Sequence, residues 1–295
     1  MIRIMTSNIW GDYFHNPTVG RDNKLYGVYQ KYSPDVLGFQ EVTRGWYESS
    51  LFQKLSDEYY FVGTELFHSK NFVPMAIKKE LAPIAGGFEY LENTPDASKA
   101  ITWCVVKRGE TVFAVCNTHF WWMRGNEPEQ ERRRKNVFEY TLEDHCRIRS
   151  DNAAQLARLM KYIEARFSCP VFAFGDMNAT VEEGVFRVYE QNHIQKLFDM
   201  TEQKDTACSL HGNPIKDEKG VFHGTRATAE YVVSFRRSLC LPEAVDGEGN
   251  LTSIDHIIGL GDSFKVWQYR VVEDQDALDA TDHSPVYADV ELLSE

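Results

Sequence analysis

Four short polar islands, each closing an apolar run, constrain this chain more than any other feature: Ser7-Asn8, Gln40-Glu41, Gly175-Asp176-Met177-Asn178 and Thr281-Asp282-His283-Ser284. A run such as Val171-Phe172-Ala173-Phe174 reads as a buried strand. An ionised carboxylate cannot sit unpaired inside such a core, so Asp176 has to emerge where the strand stops, beside Asn178. Strand ends of open α/β sheets are where ligands collect. The chain is therefore expected to bring several strand ends to one edge.

The rest of the chain alternates in a way that suits this. Residues 1 to 10 read as a strand, and Leu25, Val28, Tyr29 and Tyr32 then fall at helical spacing until Pro34. Asp35 to Glu41 is a second strand ending in acid, residues 44 to 57 read as one helix, and strand-like runs follow at 59–64, 72–78, 101–106 and 111–119. Arg108-Gly109-Glu110-Thr111 reads as a hairpin turn. Leu156, Leu159, Met160, Ile163 and Phe167 mark an amphipathic helix that packs on a sheet, and Cys169-Pro170 ends it. Ser253 to Ile258, Phe264 to Val272 and Ser284 to Val290 complete the strands, with a long loop or insertion between Thr225 and Ser253. Strands that occur in parallel and antiparallel runs, with helices between them, predict two packed mixed β-sheets flanked by helices.

At 295 residues, 43% of them hydrophobic, the chain can bury a large core, and no Pro/Gly/Ser linker divides it, so one domain over 1–295 is expected. The start, Met1-Ile2-Arg3-Ile4-Met5, leads straight into a strand without the features of an export signal, and no apolar run has the length of a membrane span. Six scattered cysteines with no CxxC pair fit a reduced, cytoplasmic protein with no obligate protein partner. The net charge of −12 argues against a protein that grips long stretches of nucleic acid, which carries a basic stripe. The one dense basic run, Arg132-Arg133-Arg134-Lys135, follows Glu127, Glu129 and Glu131 and reads either as a solvated helix face or as a contact to substrate phosphate.

Two carboxylates, an amide and an Asp-His pair gathered at one sheet edge could hold a hard divalent cation and direct water against a phosphoester. The motifs carrying these groups are Thr6-Ser7-Asn8-Ile9-Trp10, Phe39-Gln40-Glu41-Val42, Asn117-Thr118-His119, Gly175-Asp176-Met177-Asn178, Ile254-Asp255-His256-Ile257 and Thr281-Asp282-His283-Ser284-Pro285. Together, and in this order, they resemble the endonuclease/exonuclease/phosphatase superfamily over residues 6 to 285. The resemblance implies a four-layer α/β sandwich and a magnesium-dependent phosphoesterase, with manganese as a substitute ion.

It also implies roles. Glu41 would be the principal metal ligand, Asn8 would hold Glu41 and the metal shell in place, and Asp282 would face the metal side. Asp176 would orient or deprotonate the attacking water, and Asn178 would donate to the phosphoryl oxygens. His283 would meet the phosphoryl group, its ring fixed by Asp255, and His119 would be a second donor. His256 after Asp255, and Asn117-Thr118-His119, depart from the abasic-site endonucleases of the superfamily, which carry an aromatic residue and a tyrosine-bearing motif there. Phe222-His223-Gly224-Thr225 resembles a loop of bacterial members of unassigned substrate.

Phe120-Trp121-Trp122-Met123 follows His119 directly, so Trp121 and Trp122, with Arg124 and His223, are expected to line the mouth of the site. The acidic chain favours a small phosphoester such as a phosphorylated sugar or related metabolite. A nuclease acting on a short or single-stranded end, using Arg132 to Lys135 and Arg236-Arg237, is the alternative. A sphingomyelinase-like phosphodiesterase would want an exposed apolar hairpin. An inactive binding module would have lost Glu41, Asp176, Asp255 or His283, and all four are present.

Overall fold

The computed structural model describes residues 1–12, 16–64, 71–205, 209–210, 253–293 and, for the backbone only, the strand residues 214–216 and 222–225. One sheet runs in the order β13 (Phe264–Val271), β14 (Val286–Leu292), β1 (Ile2–Asn8), β2 (Val36–Gln40), β4 (Met75–Lys78), β3 (Tyr59–Val62). The other runs β5 (Ala82–Tyr90), β6 (Ala100–Arg108), β7 (Thr111–His119), β8 (Val171–Asp176), β12 (Asp255–Leu260), β9 (Gln195–Lys196). A separate ribbon pairs β10 (Pro214–Lys216) with β11 (Phe222–Thr225). The helices are α1 (Arg21–Tyr32), α2 (Arg44–Glu48), α3 (Ser50–Leu55), α4 (Glu129–Arg134), α5 (Leu142–Phe167), α6 (Gly184–Gln191) and α7 (Gln275–Ala280).

Strand alternation builds the layers. Phe172 and Phe174 of β8 enter the core between the sheets, with Phe113 and Val115 of β7 and Ile2, Ile4, Val36 and Val286 from the opposite sheet. Their neighbours Val171, Ala173, Ala114 and Cys116 point the other way, onto Leu156, Met160 and Ile163 of α5 and Phe186 of α6. On the far side, Met5, Leu37 and Phe39 pack against Leu25 and Val28 of α1, Trp46 of α2 and Leu51 of α3. The result is helix, sheet, sheet, helix: a four-layer α/β sandwich with mixed sheets, in which β1–β2 and β7–β8 are parallel. The predicted architecture and hairpin turn are as found, with Arg108 opposite Thr111 across the turn.

Three elements differ from the sequence reading. Residues 44 to 57 form two helices because Ser49 ends α2 and caps α3, its hydroxyl accepting from the Leu51 N–H. β5 escaped notice because Pro83 and Gly86-Gly87 dilute its pattern; it is an edge strand with a register shift beside Pro83, where a missing N–H is tolerated. The amphipathic stripe from Leu156 is only the second half of α5, which starts at Leu142 behind a capping box between Thr141 and Asp144. The stretch between Thr225 and Ser253, including Arg236 and Arg237, lies outside the described residues.

One buried amide ties the two sheets together just below the polar islands. Asn117 of β7 donates to the carbonyls of Phe39 (2.7 Å), Val73 (3.1 Å) and Pro74 (2.9 Å), and accepts from Gln40 Nε2 at 2.5 Å. Asn117→Ala is expected to leave the Phe39 and Val73 carbonyls and Gln40 Nε2 without this partner in a dry interior, while Pro74 keeps the Phe39 N–H, lowering unfolding free energy by about 3 kcal/mol. Urea denaturation of wild type and variant checks this; a loss under about 1 kcal/mol would contradict it.

Candidate active site

Register brings the predicted residues to one edge. In the second sheet His119 pairs with Asp176, and Asp176 with Asp255, so the end of β7, the end of β8 and the start of β12 coincide. In the first sheet Asn8 lies opposite Gln40, which puts Glu41 next to it. Asn8 joins the two sheets: its Nδ2 donates to Glu41 Oε1 at 3.2 Å and to Asp176 Oδ2 at 3.0 Å. The segment bearing Asp282 and His283 is held by Thr281, whose hydroxyl donates to the Asn8 carbonyl at 2.7 Å. Buried Arg21 clamps the same corner, donating to the carbonyls of Ala280, Ile9 and Trp10.

The backbone is bent where these side chains are needed. Glu41 and Asn178 both occupy the left-handed region, at φ +61° and +48°, a conformation that costs of order 1–3 kcal/mol for residues other than glycine. Gly175, at φ +146°, has no alternative, because a Cβ there would lie 2.0 Å from the Thr118 carbonyl oxygen.

Asp176 is 2% exposed and fully engaged. Its Oδ1 accepts from the Asn178 N–H at 2.9 Å, and its Oδ2 lies 3.3 Å from His119 Nε2 and 3.9 Å from His283 Nε2. Burial alone would raise this carboxyl, but His119, His283 and Lys99 outweigh it and hold the group well below the usual carboxylate range. His283 Nδ1 donates to Asp255 Oδ2 at 2.7 Å, and the same oxygen accepts from Ser209 Oγ at 2.7 Å. Burial opposes charge on His283, yet Asp255, Asp282 and Asp176 keep its pKa well above the ordinary value. Its Nε2 is left facing Asp176 and the cleft. Asn178 donates to the Phe120 carbonyl at 3.1 Å and lines the cleft.

The acid group on the other side has the character of a cation site. Burial, with Glu41 adding to it, pushes the Asp282 carboxyl up to about 7 against the pull of His283 and Arg21. Its Oδ1 is buried without a hydrogen-bond partner among the described residues. A divalent cation would satisfy that oxygen and relieve its repulsion from Glu41. The Glu41 carboxylate is meanwhile aimed by Asn8 and by the Gly11 N–H, which donates to Oε2 at 3.1 Å. Ligand atoms of Glu41, His119 and Asp176 also lie within 4.8 Å of one another, as do those of Asp176, Asp255 and His283. A protonated His283 in the second group and an ammonium beside His119 in the first make the Glu41–Asp282 side the one suited to a metal.

These groups line a cleft of about 740 Å³ that also takes in Trp10, Phe72, Trp122 and Arg124. Trp122 is where the sequence puts it. Trp121 is not: it is 0% exposed, its indole N–H bonds His145 Nδ1 at 2.8 Å, and it packs with Met123, Val137 and Ile148. β7 ends at His119, and the irregular backbone beyond it turns Trp121 away from the side that His119 faces while bringing Trp122 to the cleft. Arg124 borders the cleft but acts from beneath, its guanidinium bonding Glu183 at 3.2 Å and the Asn178 carbonyl. The side chain of His223 lies outside those described. His256 is a packed residue, bonded to the Ala179 carbonyl at 2.8 Å and edge-on to Phe186.

Sequence reasoning missed Ser209, Arg21 and Lys99. Each is a single polar residue without a motif around it, and only the fold assigns it a neighbour. It also left the basic run undecided. Arg132 and Arg133 turn to the Phe138 carbonyl and to Glu129, as on a solvated face, whereas Arg134 and Lys135 border the cleft.

The chain is similar over nearly its whole length to solved structures of the same architecture. An endonuclease/exonuclease/phosphatase from Bacteroides vulgatus is 18% identical, with a TM-score of 0.65 over 99% of this chain and 98% of that one. A mannosyl-6-phosphatase from Bacteroides thetaiotaomicron is 14% identical, with a TM-score of 0.64 over 99% and 100%. Truncated TDP2 from Caenorhabditis elegans is 14% identical, with a TM-score of 0.63 over 99% and 97%. No curated protein matches the chain. At these identities the likeness to the solved structures is one of fold; the family rests on its own sequence profile, which matches residues 5–283. With that match running from the first motif to His283 of the last, along the edge they share, the chain belongs to the Endonuclease/Exonuclease/phosphatase family.

Proposed function

We propose that the protein is a magnesium-dependent phosphomonoesterase acting on a small, hydroxyl-rich substrate such as a phosphorylated sugar. The observation that carries this reading is the wall of the cleft, where cations come paired with carboxylates. Lys135 binds Asp96 at 2.6 Å and Arg134 binds Glu131 at 2.5 Å. Such pairs offer donors and acceptors side by side, which suits hydroxyl groups, and they repel a polyanion at each carboxylate. Hard oxygen ligands from Glu41 and Asp282 favour Mg²⁺, with Mn²⁺ as a substitute. The fold shared with a mannosyl-6-phosphatase is in keeping with the substrate class.

The chemistry follows from the groups on the page. Asp176, an anion with a depressed pKa, is a weak base; its part is to accept a hydrogen bond from water and aim its oxygen at phosphorus. Asn178 and protonated His283 donate to phosphoryl oxygens as negative charge builds there. Asp255 and Ser209 keep the His283 ring turned so that Nε2, not Nδ1, faces the substrate. The new oxygen–phosphorus bond forms as the bond to the leaving alkoxide breaks, in line, and hydrolysis balances with one proton of the water kept on phosphate and one taken up by the alkoxide as it leaves as an alcohol. A divalent ion held by Glu41 and Asp282 would neutralise phosphoryl charge.

Trp10, Phe72 and Trp122 in the same cleft keep a second reading open, because aromatic faces stack on bases as well as on sugars. TDP2 among the similar folds is in keeping with it. Phosphate release from phosphosugars and inositol phosphates, set beside cleavage of short DNA and RNA oligomers in Mg²⁺ at low salt, separates the two. The expected result is a kcat/KM at least ~100-fold higher for one of the phosphomonoesters. Faster cleavage of the oligomers would replace the first reading with the second.

A further inference from the structure

Lys99 has no place in the chemistry so far, yet it is built into the cleft. It is 3% exposed, and it lines the same space as His119, Asp176 and Asn178. The connection between β5 and β6 that carries it is pinned at several points. Leu91 N–H donates to the Lys99 carbonyl at 3.0 Å, and Lys99 N–H to the Asp96 carbonyl at 3.1 Å. Asp96 is itself held by Lys135, and Gln155 and Asn152 of α5 grip Glu92 and Thr94. A side chain with four rotatable bonds is thereby aimed at one spot.

Among the described residues its Nζ has one hydrogen-bond partner, His119 Nε2 at 2.7 Å. An ammonium carries three N–H groups, so two remain for the cleft. Burial pulls the lysine pKa down to about 8, resisted by Asp96, Glu41 and Asp176, so the group remains a cation at neutral pH. His119 Nε2 lies between this ammonium and the Asp176 carboxylate, 3.3 Å from Oδ2, so the imidazole is already engaged on both sides. Of the two groups, the ammonium is the one with N–H groups left for substrate.

We propose that Lys99 is a catalytic residue of the hydrolysis, its ammonium donating to a nonbridging phosphoryl oxygen while His119 positions it. No bond to Lys99 forms or breaks. This deepens the phosphomonoesterase reading and rests on it. A monoester presents three nonbridging oxygens and two negative charges, a diester two oxygens and one charge. Asn178, His283 and Lys99 supply donors from three directions, so Lys99 selects the dianion.

The test uses p-nitrophenyl phosphate and bis-p-nitrophenyl phosphate with wild type, Lys99→Met and Lys99→Arg in saturating Mg²⁺, and inorganic phosphate titrated calorimetrically into each. For Lys99→Met the monoester kcat/KM is expected to fall by about 10²–10³, as when one oxyanion donor is removed, and the diester value by under ~10-fold. Phosphate affinity is expected to fall in parallel, Mn²⁺ affinity not to fall, and Lys99→Arg to regain part of the monoester rate. Equal losses on both esters, or unchanged phosphate affinity, would overturn the assignment. Should Lys99→Met fail to fold, Lys99→Gln carries the same readouts. Wild type that hydrolyses the monoester while the variants match it leaves the phosphomonoesterase reading standing without Lys99. Wild type that neither hydrolyses the monoester nor binds phosphate brings both down.

Discussion

Asp176→Asn is expected to lower kcat for phosphomonoester hydrolysis by about 10³ or more, the largest effect of any single change here. The substitution is nearly isosteric, so the loss is one of charge and hydrogen-bond polarity. Oδ1 of Asp176 accepts from the Asn178 N–H, and Oδ2 accepts from Asn8 Nδ2 while facing two imidazoles. An amide can offer an oxygen at only one of these places. Its NH₂ would then confront a donor at the other, turning Asn8 or Asn178 away from its present position. Water would lose the anion that aims it, and His283 one of the carboxylates that keep it charged. Steady-state phosphate release measures the effect; a loss below ~10-fold would show that another group directs the water.

The same carboxylate has a signature in stability. Its folded-state pKa lies below the unfolded value near 3.9, so the stabilisation it brings is complete above about pH 4 and is lost as pH falls toward the folded value. Urea denaturation of wild type and Asp176→Asn, compared at pH 7 and at pH 3, is therefore expected to give a relative stability of wild type that is lower at pH 3. A difference independent of pH would contradict the depressed pKa.

Glu41→Gln is the second large effect, and it is read in metal binding. Glu41 lies close enough to Asp282 to raise the cost of ionising it, and Asp282 Oδ1 has no hydrogen-bond partner among the described residues. Removing the Glu41 charge removes one of the two carboxylates that would hold a divalent cation. Substitutions that only touch metal ligands cost 10–100-fold in affinity, so a direct ligand is expected to cost at least ~100-fold for Mg²⁺ and Mn²⁺. Turnover at a fixed low Mg²⁺ concentration should fall accordingly and recover in part at high concentration. Calorimetric titration checks the affinity, and an unchanged Kd would move the metal elsewhere.

Much of this was legible because the site is written at strand ends. Apolar runs that stop at Asn8, Glu41, His119 and Asp176 announce both the strand and the emerging polar group, and the parallel and antiparallel pairings then bring those ends together. The end of β7 explains the error at Trp121: adjacency to His119 reads as proximity to the cleft, but the strand stops at His119 and the irregular backbone after it turns Trp121 to His145 instead. Lys99, Ser209 and Arg21 were out of reach for another reason. Each acts through a partner at least twelve residues away in the chain, so no local pattern can mark it. The same holds for β5, whose identity depends on pairing with β6 across an edge rather than on its own residues.

The most direct test of the account is where a divalent ion settles. Crystals of wild type soaked in Mn²⁺ and measured at the manganese absorption edge should give one dominant anomalous peak in the cleft, in contact with Glu41 and Asp282 and clear of Lys99. A peak bound instead through His119 or His283, or no peak in the cleft at all, would contradict it.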